Sequence, residues 1–152
     1  MTYYFKPAAL DELGAINALI KASKMSWDYP PAWWDLWAEI LTATPEKLLQ
    51  RCFWLCYSET GYLVGIYSFS QVEGTTFELE DFFVSPDFKR AGIGARLFQH
   101  LRQQLSLNGA RRLKITADPN AAPFYEKMGA VKVGEHASLP AGRVIPKLEI
   151  ML

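Results

Sequence analysis

The chain has 152 residues, half of them hydrophobic, 14% aromatic and 21% charged, a composition that excludes the disordered and low-complexity classes and suits one domain with a single core. Sixteen basic residues balance sixteen acidic ones, so no global field draws in nucleic acid or an anionic membrane. Residues 1–7 lack a charged stretch followed by an apolar one, and no run approaches the length of a membrane span, which predicts a chain neither exported nor membrane-spanning.

Residues 2–6 read as a first strand. Pro7 then opens a helical pattern in which Leu10, Leu13, Ile16, Leu19 and Ile20 share one face, ending near Lys24. Residues 25–50 are rich in tryptophan and proline and read as a helix-turn-helix excursion that finishes with a short helix from Pro45 to Arg51. Within it, Trp33, Trp34 and Trp37 suit either a pocket for an apolar or cationic substrate or ordinary partly buried packing. Three β-rich runs follow at 52–58, 62–72 and 76–84, separated by Glu59-Thr60-Gly61 and Glu73-Gly74-Thr75, the pattern of an antiparallel meander. Cys52 and Cys56 fall on one of these strands, about 13 Å apart and too distant for a disulfide, and so read as reduced core thiols suited to the cytoplasm.

A loop, Lys89-Arg90-Ala91-Gly92-Ile93-Gly94, leads into a helix whose apolar stripe is Ile93, Leu97, Phe98, Leu101 and Leu105, stopped by Asn108-Gly109. A strand at 112–117, a short helix at about 121–128 ended by Gly129, and strands near 131–136 and 146–152 complete the chain, with no internal repeat and no linker. The helix between the strands at 76–84 and 112–117 makes them a parallel pair in a mixed α/β sheet and sets the glycine loop at a strand's C-terminal end.

At that loop, Gly92 and Gly94 remove side chains where the backbone turns into the helix, so several N–H groups and the positive end of the helix dipole converge on an anion. Lys89 and Arg90 add mobile cations, which suits a diphosphate better than a carboxylate. The bland reading of such a loop is a tight turn that admits close packing. No Gly-Lys-Ser/Thr follows, and the third glycine and downstream acid of a dinucleotide fingerprint are missing, which disfavours nucleoside triphosphates and NAD. No ligand-spaced cluster of Cys, His or carboxylates surrounds His100, read on the polar face of the long helix, or His136, so no metal site is predicted.

The run Phe83-Val84-Ser85-Pro86-Asp87-Phe88-Lys89-Arg90-Ala91-Gly92-Ile93-Gly94-Ala95 resembles the main signature of the GNAT superfamily of N-acetyltransferases, Arg/Gln-x-x-Gly-x-Gly/Ala after a strand ending in Val-x-Pro. Lys89 stands where that family usually has Arg or Gln, with Arg90 directly after it. Asp118-Pro119-Asn120-Ala121-Ala122-Pro123-Phe124-Tyr125-Glu126-Lys127-Met128-Gly129-Ala130 is similar to the family's second signature, with Ala130 replacing the common aromatic. The resemblance covers most of the chain up to Gly129, while residues 25–50 and 137–152, where such enzymes usually choose substrates, are less constrained.

The resemblance implies one domain over residues 1–152 with an α/β fold: a mixed, mostly antiparallel central sheet, a parallel pair splayed at the cofactor site, and flanking helices. It implies acetyl-CoA as acyl donor and a primary amine, expected on a small molecule, as acceptor by direct attack in a ternary complex. The pantetheine arm is expected along Phe82, Phe83 and Val84 like an added strand, with the Val84 amide on the thioester carbonyl. Lys89, Arg90, Ala91, Gly92, Ile93, Gly94 and Ala95 are expected on the diphosphate, and Asn120, Phe124 and Tyr125 beside the arm. Tyr125 matches the family's acid for the leaving thiolate, although it also suits plain packing with Phe124 and Met128. Glu78 matches the base position of some members and Glu80 lies nearer the acetyl end; strand alternation puts both on one face, where either is equally a solvated charge. Asn120 also suits the cap of the following helix. Arg143, in the turn Pro140-Ala141-Gly142-Arg143, reads either as a contact for an acidic part of the acceptor or as an exposed turn arginine. A noncatalytic acyl-CoA-binding module and a protein or peptide N-acetyltransferase are the alternatives, and monomer and homodimer are both open.

Overall fold

The computed structural model describes residues 2–88 and 91–152. Its strands are β1 (Tyr3–Pro7), β2 (Cys52–Ser58), β3 (Leu63–Glu73), β4 (Thr76–Val84), β5 (Arg112–Thr116), β6 (Val131–Ser138) and β7 (Arg143–Met151), and its helices α1 (Leu13–Met25), α2 (Trp34–Leu41), α3 (Pro45–Gln50), α4 (Ile93–Leu107) and α5 (Ala122–Lys127). Among the described residues the seven strands form one sheet in the order β1-β2-β3-β4-β5-β7-β6. Every neighbouring pair is antiparallel except β4 and β5, which the α4 crossover makes parallel.

The apolar stripes read from the sequence decide which helix covers which face. α4 buries Ile93, Leu97, Phe98, Leu101 and Leu105 against Tyr67, Phe69 and Leu113 on one face of the sheet. α1 buries Ile16, Leu19 and Ile20 against Phe53, Leu55 and Ile66 on the other. Each such side chain contributes about 1.5–3 kcal/mol of gross hydrophobic stabilisation. The α4 layer lies close enough to β3 that a Cβ added at Gly65 would stand 3.2 Å from a Leu97 methyl. Among the described residues no helix is long and apolar enough to cross a membrane.

Three local expectations change. Pro7 closes β1 opposite Trp54 instead of opening a helix, because an edge strand tolerates a missing N–H; a 3-10 turn at Leu10–Glu12 follows and leaves Leu10 63% exposed. β6 and β7 are longer than read and pair from Ser138 and Arg143 onward, so the chain returns through a short hairpin. His100 is not on a solvated face: its ring stacks on Phe5 at 4.0 Å and Nδ1 lies 2.8 Å from the buried Tyr67 hydroxyl. Cys52 and Cys56 are free thiols, and burial pushes the Cys56 thiol up to about 11.

Candidate active site

The parallel ladder of β4 on β5 runs only from Thr76 opposite Arg112 to Leu79 opposite Ile115. Beyond it β4 stays paired to β3 as far as Val84 opposite Gly65, while β5 turns away at Thr116. The backbone of Phe82, Phe83 and Val84 therefore borders a gap in the sheet, and two cavities meet there. Phe82, Phe83 and Tyr125 line both.

The first cavity, about 490 Å³, runs from the N-terminus of α4 to that junction along Gly92, Ile93, Gly94, Ala95, Asn120 and Phe124. Gly92 adopts the left-handed conformation at φ 74°, which glycine alone enters without strain, and so turns the loop into the helix. At Gly94 a Cβ would stand 3.1 Å from the Phe124 ring, so the loop seats directly on α5. The first-turn amides of α4 lack an intrahelical acceptor by the geometry of any helix start and face the same end. A groove with free first-turn amides at one end and a mostly apolar lining fits a phosphopantetheine. Ala91 packs against the α4-side core; Lys89 and Arg90 lie outside the described residues.

Aromatic packing holds Tyr125 at the junction. Its ring touches Phe82 at 5.8 Å, Phe98 at 6.3 Å and Phe124 at 5.4 Å, tying α5 to β4 and α4. Only 5% of the residue is exposed. Burial, with the Asp118 carboxylate adding to it, pushes the phenol well above its ordinary value, so it keeps its proton throughout the neutral range.

The second cavity, about 530 Å³, has an acidic wall on β4. A bulge at Glu80 makes it: Ser68 pairs with Asp81 but Phe69 pairs with Leu79, so one β4 residue is extra. Glu78 and Glu80 share a face as alternation requires, and the bulge brings Asp81 to that face too, which strict alternation denies. Glu80 accepts from the Ser70 hydroxyl at 2.7 Å and lies 3.6 Å from Arg51. Asp81 accepts from Ser68 at 2.5 Å and from Arg51 at 2.9 Å, yet burial outweighs both and raises its carboxyl above the usual range. Glu80 lies past the last β4–β5 pair, in the gap itself, whereas Glu78 is still paired opposite Lys114.

The opposite wall is built around Asp118, which sequence reasoning quoted without assigning it a role. Its carboxylate takes the Lys24 ammonium at 2.6 Å, the Tyr29 hydroxyl at 2.8 Å and the Asn120 amide at 2.8 Å. Burial raises this carboxyl, but Lys24 and the other donors win and hold it below its ordinary value. Lys24 is shifted down, by burial first. Arg143 is not an exposed turn residue: it opens β7, donates to Tyr29 at 2.9 Å and to Ser138 at 3.1 Å, and lies 3.7 Å from Asp118. Asn120 does not cap α5, whose N-cap is Ala121 with no side-chain cap; its side chain donates to Tyr29 at 3.1 Å. Of the tryptophans, Trp37 lines the cavity with Lys24 4.5 Å from its ring, Trp33 stacks on Tyr29, and Trp34 packs toward α1.

The model of the GNAT acetyltransferase domain family matches residues 37–138. A glucosamine 6-phosphate N-acetyltransferase of Trypanosoma brucei brucei is 29% identical over 80 residues, 49% of this chain and 54% of that protein, so the chain spans about half the length of this curated relative. The PaiA N-acetyltransferase of Thermoplasma acidophilum, solved in complex with coenzyme A, superposes with a TM-score of 0.78 over 100% of both chains at 13% identity. The ribosomal-protein-S18-alanine N-acetyltransferase of Escherichia coli gives 0.72 over 99% of this chain and 94% of that one at 15% identity. At such identities the likeness establishes the fold, and the family model adds the lineage: this chain belongs to the GNAT acetyltransferase family.

Proposed function

We propose that the protein is an acetyl-CoA-dependent N-acetyltransferase, one catalytic domain over residues 1–152, that acetylates a primary amine of a small molecule by direct attack in a ternary complex. The observation that carries this reading is the gap beyond Leu79, where a groove suited to phosphopantetheine meets a separate chamber at Phe82, Phe83 and Tyr125. Family membership and the coenzyme A bound by the Thermoplasma relative support the donor. The named acceptors of the relatives, a sugar phosphate amine and a protein alanine, differ too much to choose one. The second cavity, about 530 Å³ and of a size typical for small-molecule sites, supports a small amine over a protein.

In this reading the amides of Gly92, Ile93, Gly94 and Ala95 hold the diphosphate with the cations of Lys89 and Arg90, while the Ala91 amide, which donates to the Phe88 carbonyl, shapes the loop, and Asn120 and Phe124 flank the arm. The Val84 amide donates to the thioester carbonyl as charge develops on its oxygen. Glu80, through water, takes the proton of the incoming ammonium, with Glu78 beside it. The Tyr125 phenol gives its proton to the departing thiolate as the thioester C–S bond breaks, and the proton shed by the nitrogen as the amide forms returns to the phenolate. The reduced thiols suit a cytoplasmic enzyme.

Thiol release from acetyl-CoA, followed with a panel of small primary amines, tests the reading. Amine-dependent release with a mass gain of one acetyl group on the amine is expected. Tight acetyl-CoA binding without turnover of any amine or of an N-terminal peptide would instead identify a noncatalytic acyl-CoA-binding module.

A further inference from the structure

The wall around Asp118 carries two cations on one carboxylate, and among the described residues no second anion pairs with them. Lys24 and Arg143 both lean on this one carboxylate, and the three side chains are 12%, 14% and 10% exposed. The charges acting on Lys24 are Asp118, which favours the ammonium, and Arg143, which opposes it. Two cations sharing one anion leave a positive charge in excess, nearly shut off from water, and an uncompensated buried charge is costly. Tyr29 does not offset it, because its phenol is shifted upward, by burial first, and stays neutral. Trp37 offers its ring to both cations, Lys24 at 4.5 Å and Arg143 at 5.2 Å, which orders them without cancelling the charge.

Donor capacity is left over as well. The ammonium of Lys24 spends one of its three N–H groups on Asp118, and the guanidinium of Arg143 spends two of its five on Tyr29 and Ser138. Both side chains line the larger cavity, across which stands the acidic wall of Glu78, Glu80 and Asp81. The chamber is thus polarised, with three carboxylates, two of them sharing the single Arg51, on one wall and spare cationic donors on the other.

We propose that Lys24 and Arg143 form an anion clamp and that the acceptor is a zwitterion, an amine that also bears a carboxylate or phosphate. The acid group completes the charge balance at the clamp while the ammonium faces Glu80. This rests on the acetyltransferase reading and narrows its substrate class. Arg143 is the residue to test, because it lines only the acceptor cavity whereas Lys24 borders the donor groove too.

The experiment compares kcat/KM for acceptors that differ only in the acid: phenylalanine against phenylalaninamide for carboxylate, and aminoethyl phosphate against ethanolamine for phosphate. The expected result is a preference of at least roughly tenfold for the acid member of one pair, and that pair identifies the acid. In Arg143→Gln the preference collapses, the acid's kcat/KM falling roughly ten- to a hundredfold mainly through KM, and Arg143→Lys restores part of it. A merely structural role would lower acid and neutral acceptors by the same factor and leave the preference intact, which overturns the clamp. Equal use of both members, or turnover of neither acid while acetyl-CoA still raises the melting temperature, also overturns it and leaves the donor assignment standing. Loss of the acetyl-CoA effect in the unaltered protein would instead remove the donor reading on which the proposal rests.

Discussion

The two cavities that meet at Tyr125 are made in different ways. The donor groove is assembled mainly from one stretch of β4, the loop after it and the start of α4, with α5 as its far wall and the end of α1 alongside, and its key groups are main-chain amides and the absence of side chains at Gly92 and Gly94. The acceptor chamber is assembled from side chains of α1, α2, β4, the end of β5 and β7, joined by ion pairs such as Lys24 to Asp118. A backbone site binds what any sequence with the same loop binds, whereas a side-chain site is free to change its guest. Variants should therefore separate the two, altering donor binding or acceptor turnover but not both.

The largest separation is expected from Tyr125→Phe. Removing the proton donor should lower kcat roughly a hundred- to ten-thousandfold while the melting-temperature rise with acetyl-CoA persists, because ring packing at the junction is retained. Glu80→Gln should lower kcat/KM about a hundredfold, again with donor binding intact, and Glu78→Gln less than tenfold, since Glu80 alone of the pair stands in the gap. Equal effects of the two would move the base off the bulge.

Gly94→Val breaks the comparison from the donor side. Its branched side chain meets the Phe124 ring, and the overpacking should weaken acetyl-CoA binding about ten- to a hundredfold by calorimetry. The smallest effect is on stability at low pH. The folded value of Asp118 is depressed, so its ion pairs stabilise fully above its unfolded value of about 3.9, and that contribution is lost as pH falls through the lower folded value. Urea midpoints should fall below about pH 4, and less steeply in Asp118→Asn than in the unaltered protein.

What the sequence disclosed follows the same division. The strand order around the meander, the parallel pair, the α4 stripe and the glycine loop all rest on contiguous patterns, and they reappear at Thr76–Val84 and Ile93–Leu107. Tyr125 was legible through the second signature and stands at the junction. The bulge at Glu80 was not, because an extra residue leaves no mark on a run of alternating acids until its partner strand is known. Nor were Lys24, Tyr29 and Arg143 as partners of Asp118, for their hydrogen bonds span 94, 89 and, from Arg143 to Tyr29, 114 residues. Pro140-Ala141-Gly142 signals a turn and hides the fact that the next residue opens β7 with its side chain lining the second cavity.

The most direct test of the central claim is a thermal-melt series with acetyl-CoA and ATP as separate ligands. Acetyl-CoA at about a hundred times its dissociation constant should add about 2.7 kcal/mol and raise the midpoint roughly 5–10 °C, with no comparable rise from ATP. No rise with millimolar acetyl-CoA, or an equal rise with ATP, would contradict the assignment of the groove between α4 and α5 to the acyl donor.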